Sequence, residues 1–85
     1  MAAYRLFFKK SVQKDLAVIQ KNDLRRILSR IEALAVDPRP TDCEKLTGLK
    51  RYRIRQDRYR VVYSIEDDEL TVWIVKVSHR KDVYQ

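Results

Sequence analysis

The spacing of apolar residues divides the chain into a short strand, a helical region and a region of strands. Tyr4-Arg5-Leu6-Phe7-Phe8 is short, aromatic-rich and apolar, which predicts a first strand. Apolar residues then recur at the period of a helix, and two such stretches predict two helices that form an antiparallel hairpin. After Gly48 apolar and polar residues alternate, which is typical of strands.

The limits of the predicted helices follow from capping and proline. Ser11 is the expected N-cap of the first helix, and the second is expected to start at Asn22 or Asp23. The segment Asp37–Pro40 contains two prolines and ends the second helix, because a proline disfavours helix in the residue before it. The apolar positions are Val12, Leu16 and Ile19 in the first helix and Leu24, Ile27, Leu28, Ile31 and Leu34 in the second.

Three further strands are predicted, joined by short polar turns at Asp57-Arg58 and at Asp67–Glu69. The last strand is apolar on both sides around Trp73, as expected of a central strand. The order β-α-α-β-β-β predicts an α+β fold in which the helical hairpin packs on an antiparallel sheet, with the first strand beside the last. The predicted strands are 52–55, 59–65 and 70–77.

Length and composition restrict the class of protein. With 85 residues and 45% hydrophobic content, the chain is expected to be one domain, 1–85, with its own core, which excludes a two-lobed enzyme. A single cysteine, Cys43, excludes an intrachain disulfide, and no zinc site or other cofactor is expected. Lysines near the N-terminus argue against a secretory signal, and no segment approaches membrane-spanning length. These features predict a cytoplasmic protein without membrane contact.

The net charge of +7 favours polyanionic partners, and the basic residues concentrate between positions 50 and 60. Alternation places Arg53 and Arg55 on one sheet face, about 7 Å apart, where two like charges favour an anion between them. We therefore predict a phosphate-binding face, with an ordinary solvated face as the alternative. The basic residues of this segment are Lys50, Arg51, Arg53, Arg55, Arg58 and Arg60, of which all but Arg58 are expected to bind phosphate or RNA.

Binding of phosphate is not cleavage. Cleavage of RNA without a metal needs a base for the 2′-hydroxyl, cations for the charge on phosphorus oxygens and a proton donor for the leaving 5′-oxygen. Arginines can supply the cations. Histidine is the residue type whose reference pKa lies nearest neutrality, which makes His79 a candidate acid or base, and Tyr84 is a candidate base because nearby arginines would favour its charged form. The structural alternatives are a packing role at the strand end for His79 and at the C-terminus for Tyr84.

The C-terminal half resembles the RelE branch of the RelE/ParE toxin superfamily. The resemblance is carried by Tyr52-Arg53-Ile54-Arg55, Tyr59-Arg60-Val61-Val62-Tyr63 and the segment 78–84, preceded by Glu44–Leu49. Together with the element order it covers essentially the whole chain. It implies a microbial-RNase-like fold and a ribosome-dependent mRNA endonuclease, the toxin of a toxin–antitoxin pair, that cuts the A-site codon and leaves a 2′,3′-cyclic phosphate and a 5′-hydroxyl.

The resemblance also implies roles for individual residues. Arg53 and Arg55 match two basic positions on the first hairpin strand, and Arg60 matches a phosphate or transition-state clamp. Arg80 matches a proton donor or charge stabiliser, and Tyr84 matches the tyrosine that orients or deprotonates the nucleophile. Relatives carry Lys where this chain has Arg53 and Arg55, so His79 beside Arg80 is a substitute acid or base.

Partners are implied in the same way: a cognate RelB-like antitoxin, the ribosome with mRNA in its A site, and operator DNA only through the antitoxin complex. Two rival functions remain at this stage. One is a ParE-like toxin that inhibits DNA gyrase without cutting nucleic acid. The other is a passive RNA-binding domain, which the sequence disfavours because no exposed aromatic residues for base stacking are evident.

Overall fold

Two helices pack on a five-stranded sheet in the computed structural model, which describes residues 3–46, 48 and 50–79. The strands lie in the order β1-β5-β4-β3-β2, and β1 pairs parallel to β5 while the other neighbours are antiparallel. The elements are β1 (Arg5–Phe8), α1 (Lys10–Ala17), α2 (Lys21–Ala33), β2 (Glu44–Lys45), β3 (Tyr52–Gln56), β4 (Tyr59–Glu66), a 3-10 turn (Asp67–Glu69) and β5 (Thr71–His79).

The predicted α+β class, the two helices and the position of the first strand beside the last are confirmed. The sheet is mixed, however, because the first strand runs parallel to the last. The additional strand Glu44–Lys45 falls in the segment predicted to be a loop. Two residues are too few to give a periodic signal, so this strand is visible only through its partner Tyr52-Arg53.

Both helices begin earlier than predicted. The N-cap of α1 is Lys9 rather than Ser11, and that of α2 is Gln20, just before Lys21. Neither cap uses a side-chain hydrogen bond. The Lys9 N–H instead donates to the Ile74 carbonyl at 3.0 Å, and the Lys9 carbonyl accepts the N–H of Val12 at 3.0 Å. Lys9 therefore makes the hydrogen bond to β5 that follows β1 and also accepts the bond that begins α1, so the helix starts directly after the strand.

The core lies between the helices and one face of the sheet. Each of its buried residues is at most 2% exposed. Tyr63 is fully buried among aliphatic side chains, and its hydroxyl donates to the Pro38 carbonyl at 2.7 Å, which ties the loop after α2 to the sheet. Burial raises the pKa of the Tyr63 hydroxyl. The buried hydrophobic residues are Val12, Ile27, Ile31, Leu34, Ile54, Val61, Tyr63, Val72, Ile74 and Val77.

A bulge in β5 changes which residues face the core. Tyr63 pairs with Ile74 and Val62 with Lys76, so Val75 is an extra residue without a partner in the register with β4. Because of it, Ile74 and Val77 both lie in the core although they are three residues apart. Every residue of β5 after the bulge is therefore turned to the face opposite to the one that strict alternation gives.

Two turns use the left-handed backbone region. Asp57, with a φ of 56°, forms the predicted turn between β3 and β4, and aspartate tolerates this conformation better than most residues. Leu70, with a φ of 49°, ends the 3-10 turn, so β5 starts at Thr71 rather than at the predicted Leu70.

A polar network at one end of the sheet joins the residue before β1, strand β3 and the turn before β5 to the loop after α2. The Asp67 carboxylate accepts hydrogen bonds from both terminal nitrogens of Arg39, at 3.1 and 2.9 Å, and from the Tyr4 hydroxyl at 2.8 Å. Arg39 Nε donates to the Tyr52 hydroxyl at 3.3 Å. The Arg39 bonds, followed by the Tyr4 bond, lower the pKa of Asp67, and the bond to Asp67 raises the pKa of Tyr4.

Candidate functional site

The sheet face that the helices leave open carries a pair of arginines at the turn between β3 and β4. Arg55 on β3 lies directly opposite Arg60 on β4, and Arg60 lies opposite Ser78 on β5. Ile54 and Val61, the neighbours of these arginines in sequence, are fully buried on the other face. Like charges directly opposite each other on adjacent strands destabilise a sheet. The arrangement is therefore suited to an anion that bridges both side chains.

Arg53 lies on the same face but is engaged differently. Its guanidinium forms an ion pair with the Glu44 carboxylate on β2, and its side chain is only 12% exposed. Arg55 is exposed and forms no ion pair with any described residue. Arg53 and Arg55, which were predicted to bind one anion together, thus differ in their ion pairing. The Glu44 carboxylate already offsets the charge of Arg53.

A cleft of about 460 Å³ wraps around the part of β5 that β1 does not cover. Strand β1 pairs only with Thr71–Ile74, so the edge of β5 beyond the bulge faces α1 instead. There Asp15 accepts the Val77 N–H at 3.1 Å and lies 3.4 Å from the Lys76 ammonium. The cleft lining from both faces of the sheet includes Arg51, Tyr59, Arg60, Val62, Ser78 and His79.

His79 approaches this cleft from the side opposite to Arg60. It pairs with Tyr59, and the two rings meet edge to face, with centroids 5.2 Å apart and an interplanar angle of 84°. Tyr59 packs against the core, so His79 lies on the face that the helices cover, while Arg60 and Ser78 lie on the open face. His79, the predicted acid or base, and Arg60, the predicted clamp, therefore project from opposite faces of the sheet. They border the same cleft only where β5 ends.

The remaining predicted residues fall into three groups. Arg51 is exposed and lines the cleft together with Arg60. Lys50 lines a different depression, beside Arg39 and Asp67, at the other end of the sheet. Arg80 and Tyr84 lie outside the described residues.

A partly exposed aromatic pair on the open face was not apparent from the sequence. The rings of Phe7 on β1 and Trp73 on β5 stack with centroids 5.0 Å apart and an interplanar angle of 28°, and Phe7 is 38% exposed. Aromatic side chains that could stack on a base, which were not evident in the sequence, are therefore present on the open face. Alternation in Arg5-Leu6-Phe7 does point Phe7 away from the core, but the pairing of β1 with β5 was needed to put Trp73 beside it.

Two general features of the described part of the chain bear on the class of site. No three His, Cys, Asp or Glu side chains among residues 3–46, 48 and 50–79 come together so as to hold a metal ion. Neither of the two described helices has the length and apolar content needed to cross a bilayer.

Known proteins of the same family match nearly the whole chain. The sequence model of the family described as ParE toxin of the type II toxin–antitoxin system parDE matches residues 6–84. A protein of Methanocaldococcus jannaschii named as toxin RelE1 is 32% identical over 80 residues, which cover 89% of each chain. The chain belongs to the RelE/ParE superfamily of toxins.

Solved structures agree with this membership. The archaeal RelE–RelB complex from Pyrococcus horikoshii contains a chain that superposes with a TM-score of 0.83 at 34% identity, covering 94% of this toxin and 97% of that chain. The toxin–antitoxin complex RelBE2 from Mycobacterium tuberculosis contains one with a TM-score of 0.85 at 25% identity, covering 94% of each. This toxin therefore has a RelE-type fold over nearly its full length.

Proposed function

We propose that this toxin is a metal-independent endoribonuclease that cuts mRNA in the A site of the ribosome and so stops translation. The observation that carries the proposal is the position of Arg55 directly opposite Arg60 on the open face. Such a pair suits an RNA phosphate, because guanidinium groups bind phosphate oxygens with two parallel hydrogen bonds. In support, the relatives reported above carry RelE names, and the resemblance to RelE toxins implies RNA as the target. The matching family model is named for ParE, so inhibition of DNA gyrase is the second candidate function.

The proposed reaction is an internal transesterification. The 2′-oxygen of one nucleotide attacks the adjacent phosphorus, a new oxygen–phosphorus bond forms, and the bond from phosphorus to the 5′-oxygen of the next nucleotide breaks. The products are a 2′,3′-cyclic phosphate and a 5′-hydroxyl. Arg55 and Arg60 stabilise the negative charge that grows on the non-bridging phosphate oxygens, an effect that acts mainly in the transition state.

The reaction also requires two proton transfers. One group takes the proton of the 2′-hydroxyl, and another gives a proton to the departing 5′-oxygen. Our candidates are Arg80, Tyr84 and His79. Of these, His79 borders the cleft that Arg60 also borders. In this proposal Arg51, Arg53 and Lys50 bind more distant phosphates, and Arg53 does so once its ion pair with Glu44 opens.

The proposal includes partners and a location. A RelB-like antitoxin binds and silences the toxin in the cytoplasm, and the complex of both proteins contacts operator DNA. The charge of +7 favours rapid association with an acidic antitoxin segment and with ribosomal RNA. The RelE chains of similar structure were solved in complexes with RelB.

Expression of the toxin without antitoxin tests this function. We expect growth arrest, a fall in amino-acid incorporation before any fall in DNA synthesis, and new 5′ ends within translated messages by primer extension. Arg60→Ala should remove the cuts and the arrest. Arg25→Ala removes the same charge from an exposed position on α2 and should retain both. Growth arrest with gyrase-trapped DNA breaks and uncut mRNA would contradict the proposal and identify a ParE-like gyrase inhibitor.

A further inference from the structure

The stacked pair of Phe7 and Trp73 is flanked by two cations. The Arg5 guanidinium carbon lies 5.7 Å from the centroid of the Phe7 ring, and the Lys9 ammonium lies 5.2 Å from the centroid of the Trp73 ring. We call these four residues the aromatic patch. Aromatic rings beside basic side chains are the combination with which proteins bind single-stranded nucleic acid, because bases stack on the rings and phosphates contact the cations.

The aromatic patch and the arginine pair lie on the same side of the sheet. Trp73 is opposite Ser64 on β4, and Arg60 precedes Ser64 by four residues, an even number, so both project from the open face. Four residues of a strand span about 14 Å. A nucleic-acid strand whose phosphate is held by Arg55 and Arg60 would therefore place a different nucleotide on the patch.

We propose that the aromatic patch is a stacking subsite for a base of single-stranded RNA, flanking the nucleotide whose phosphate Arg55 and Arg60 hold. This inference takes its ligand class from the proposed function. The base would lie on the exposed part of Phe7, and Arg5 and Lys9 would move from the ring faces to the neighbouring phosphates. Contacts of this kind between cations and exposed rings are weak, so the rearrangement is inexpensive.

The charges around the patch favour RNA over a protein occupant. An apolar segment of a protein would also cover the rings, but it would place apolar groups against two charged side chains. Arg5 and Lys9 are both exposed, and the open face continues from them to Arg51, Arg55 and Arg60. Single-stranded RNA carries phosphates and bases at regular intervals, so it fits these charges and this aromatic surface better than an apolar helix or strand does.

The chain provides its own probe, because Trp73 is the single tryptophan. The purified toxin is titrated at low salt with a short 2′-O-methyl oligoadenylate, which carries bases and phosphates but not the attacking hydroxyl. Inorganic polyphosphate of similar charge is the control. We expect the oligoadenylate to quench the fluorescence of Trp73 and polyphosphate to bind without quenching it.

Variants of Phe7 locate the effect. Phe7→Ala should weaken binding of the oligoadenylate about tenfold or more, as expected for the loss of one stacking partner. Phe7→Leu keeps apolar cover over the strand and should lose as much affinity, while Phe7→Tyr should bind like the wild type. Thermal unfolding of each variant shows that it is folded. Arg60→Ala should weaken binding and still give full quenching at saturation.

Either of two outcomes would overturn the inference: no quenching by the oligoadenylate, or equal affinity in Phe7→Leu and the wild type. Loss of antitoxin affinity in Phe7→Leu with unchanged RNA affinity would make the patch a protein-docking surface instead. A different result would contradict the proposed function. If the toxin leaves mRNA uncut on ribosomes while Phe7-dependent quenching persists, the subsite stands and the nuclease function does not.

Discussion

At the scale of single residues, the arginine pair conflicts with the stability of the sheet. Arg55 and Arg60 occupy directly opposed positions, where an opposite charge or an apolar pair would be more favourable. An anion bound between the two guanidinium groups would offset this repulsion. The cost is small, because Arg55 is exposed and salt screens exposed charges.

Replacement of Arg55 by glutamine should separate stability from activity. We expect Arg55→Gln to increase the free energy of unfolding by about 0.5 kcal/mol at low salt, because one of two opposed charges is removed. Its rate of RNA cleavage should fall about a hundredfold, as when one donor to a transition-state oxyanion is lost. Urea unfolding and single-turnover cleavage measure the two effects. A variant that loses stability along with activity would indicate that Arg55 has a structural role.

At the scale of elements, the short strand β2 depends on one ion pair. Glu44 is 63% exposed, whereas the Arg53 side chain is 12% exposed, so the carboxylate satisfies a guanidinium that water reaches poorly. Removal of one partner from such a pair leaves a charge that is only partly solvated.

We therefore expect Glu44→Gln to lower the free energy of unfolding by about 1 kcal/mol, between the values for exposed and buried pairs. Urea unfolding measures the change. The control is the Arg53→Met background, in which Glu44→Gln should have almost no further effect, as in a double-mutant cycle. Equal losses in both backgrounds would show that the ion pair does not hold β2.

The network around Asp67 should make stability depend on pH. Arg39 and then Tyr4 lower the pKa of Asp67, so its contribution is present above the ordinary aspartate pKa of about 3.9 and is lost as pH falls through the lowered value. The raised pKa of Tyr4 has the opposite sign: its contribution is present below about pH 10 and is lost as pH rises through the raised value.

Thermal unfolding from about pH 7 down to pH 2 tests the contribution of Asp67 to stability. The wild type should lose more stability than Asp67→Asn over this range, so that the two melting temperatures converge in acid. Asp68→Asn is the matched control, since Asp68 lies in the same turn and has no hydrogen bond or ion pair with any described residue. Parallel pH profiles for the wild type and Asp67→Asn would contradict the assignment.

Prediction from sequence succeeded where a periodic signal was long enough. Both helices, the hairpin of β3 and β4 and the central position of β5 follow from apolar spacing. The face of His79 could not be predicted in this way. Strict alternation from Trp73 places His79 on the open face, but the bulge at Val75 turns it to the covered face beside Tyr59. A bulge depends on the register between two strands, which a pattern along one strand does not contain.

At the scale of the whole molecule, the residues that stabilise the fold and those proposed to bind RNA lie on opposite faces of the sheet. The core and both helices occupy one side of the sheet, and the arginine pair and the aromatic patch occupy the other. The open surface therefore offers positive charge to a polyanion, from Arg5, Lys9, Arg51, Arg55 and Arg60. Sequence predicted this basic face, but the part played by Phe7 and Trp73 required the parallel pairing of β1 with β5.

The most direct test is cleavage of a defined mRNA by the purified toxin, with and without ribosomes programmed to leave the A site vacant. We predict cuts at the A-site codon only when ribosomes are present. The products should carry 2′,3′-cyclic phosphate and 5′-hydroxyl ends, and Arg60→Ala should not form them. Intact mRNA on programmed ribosomes, with a toxin that still arrests growth, would contradict the account.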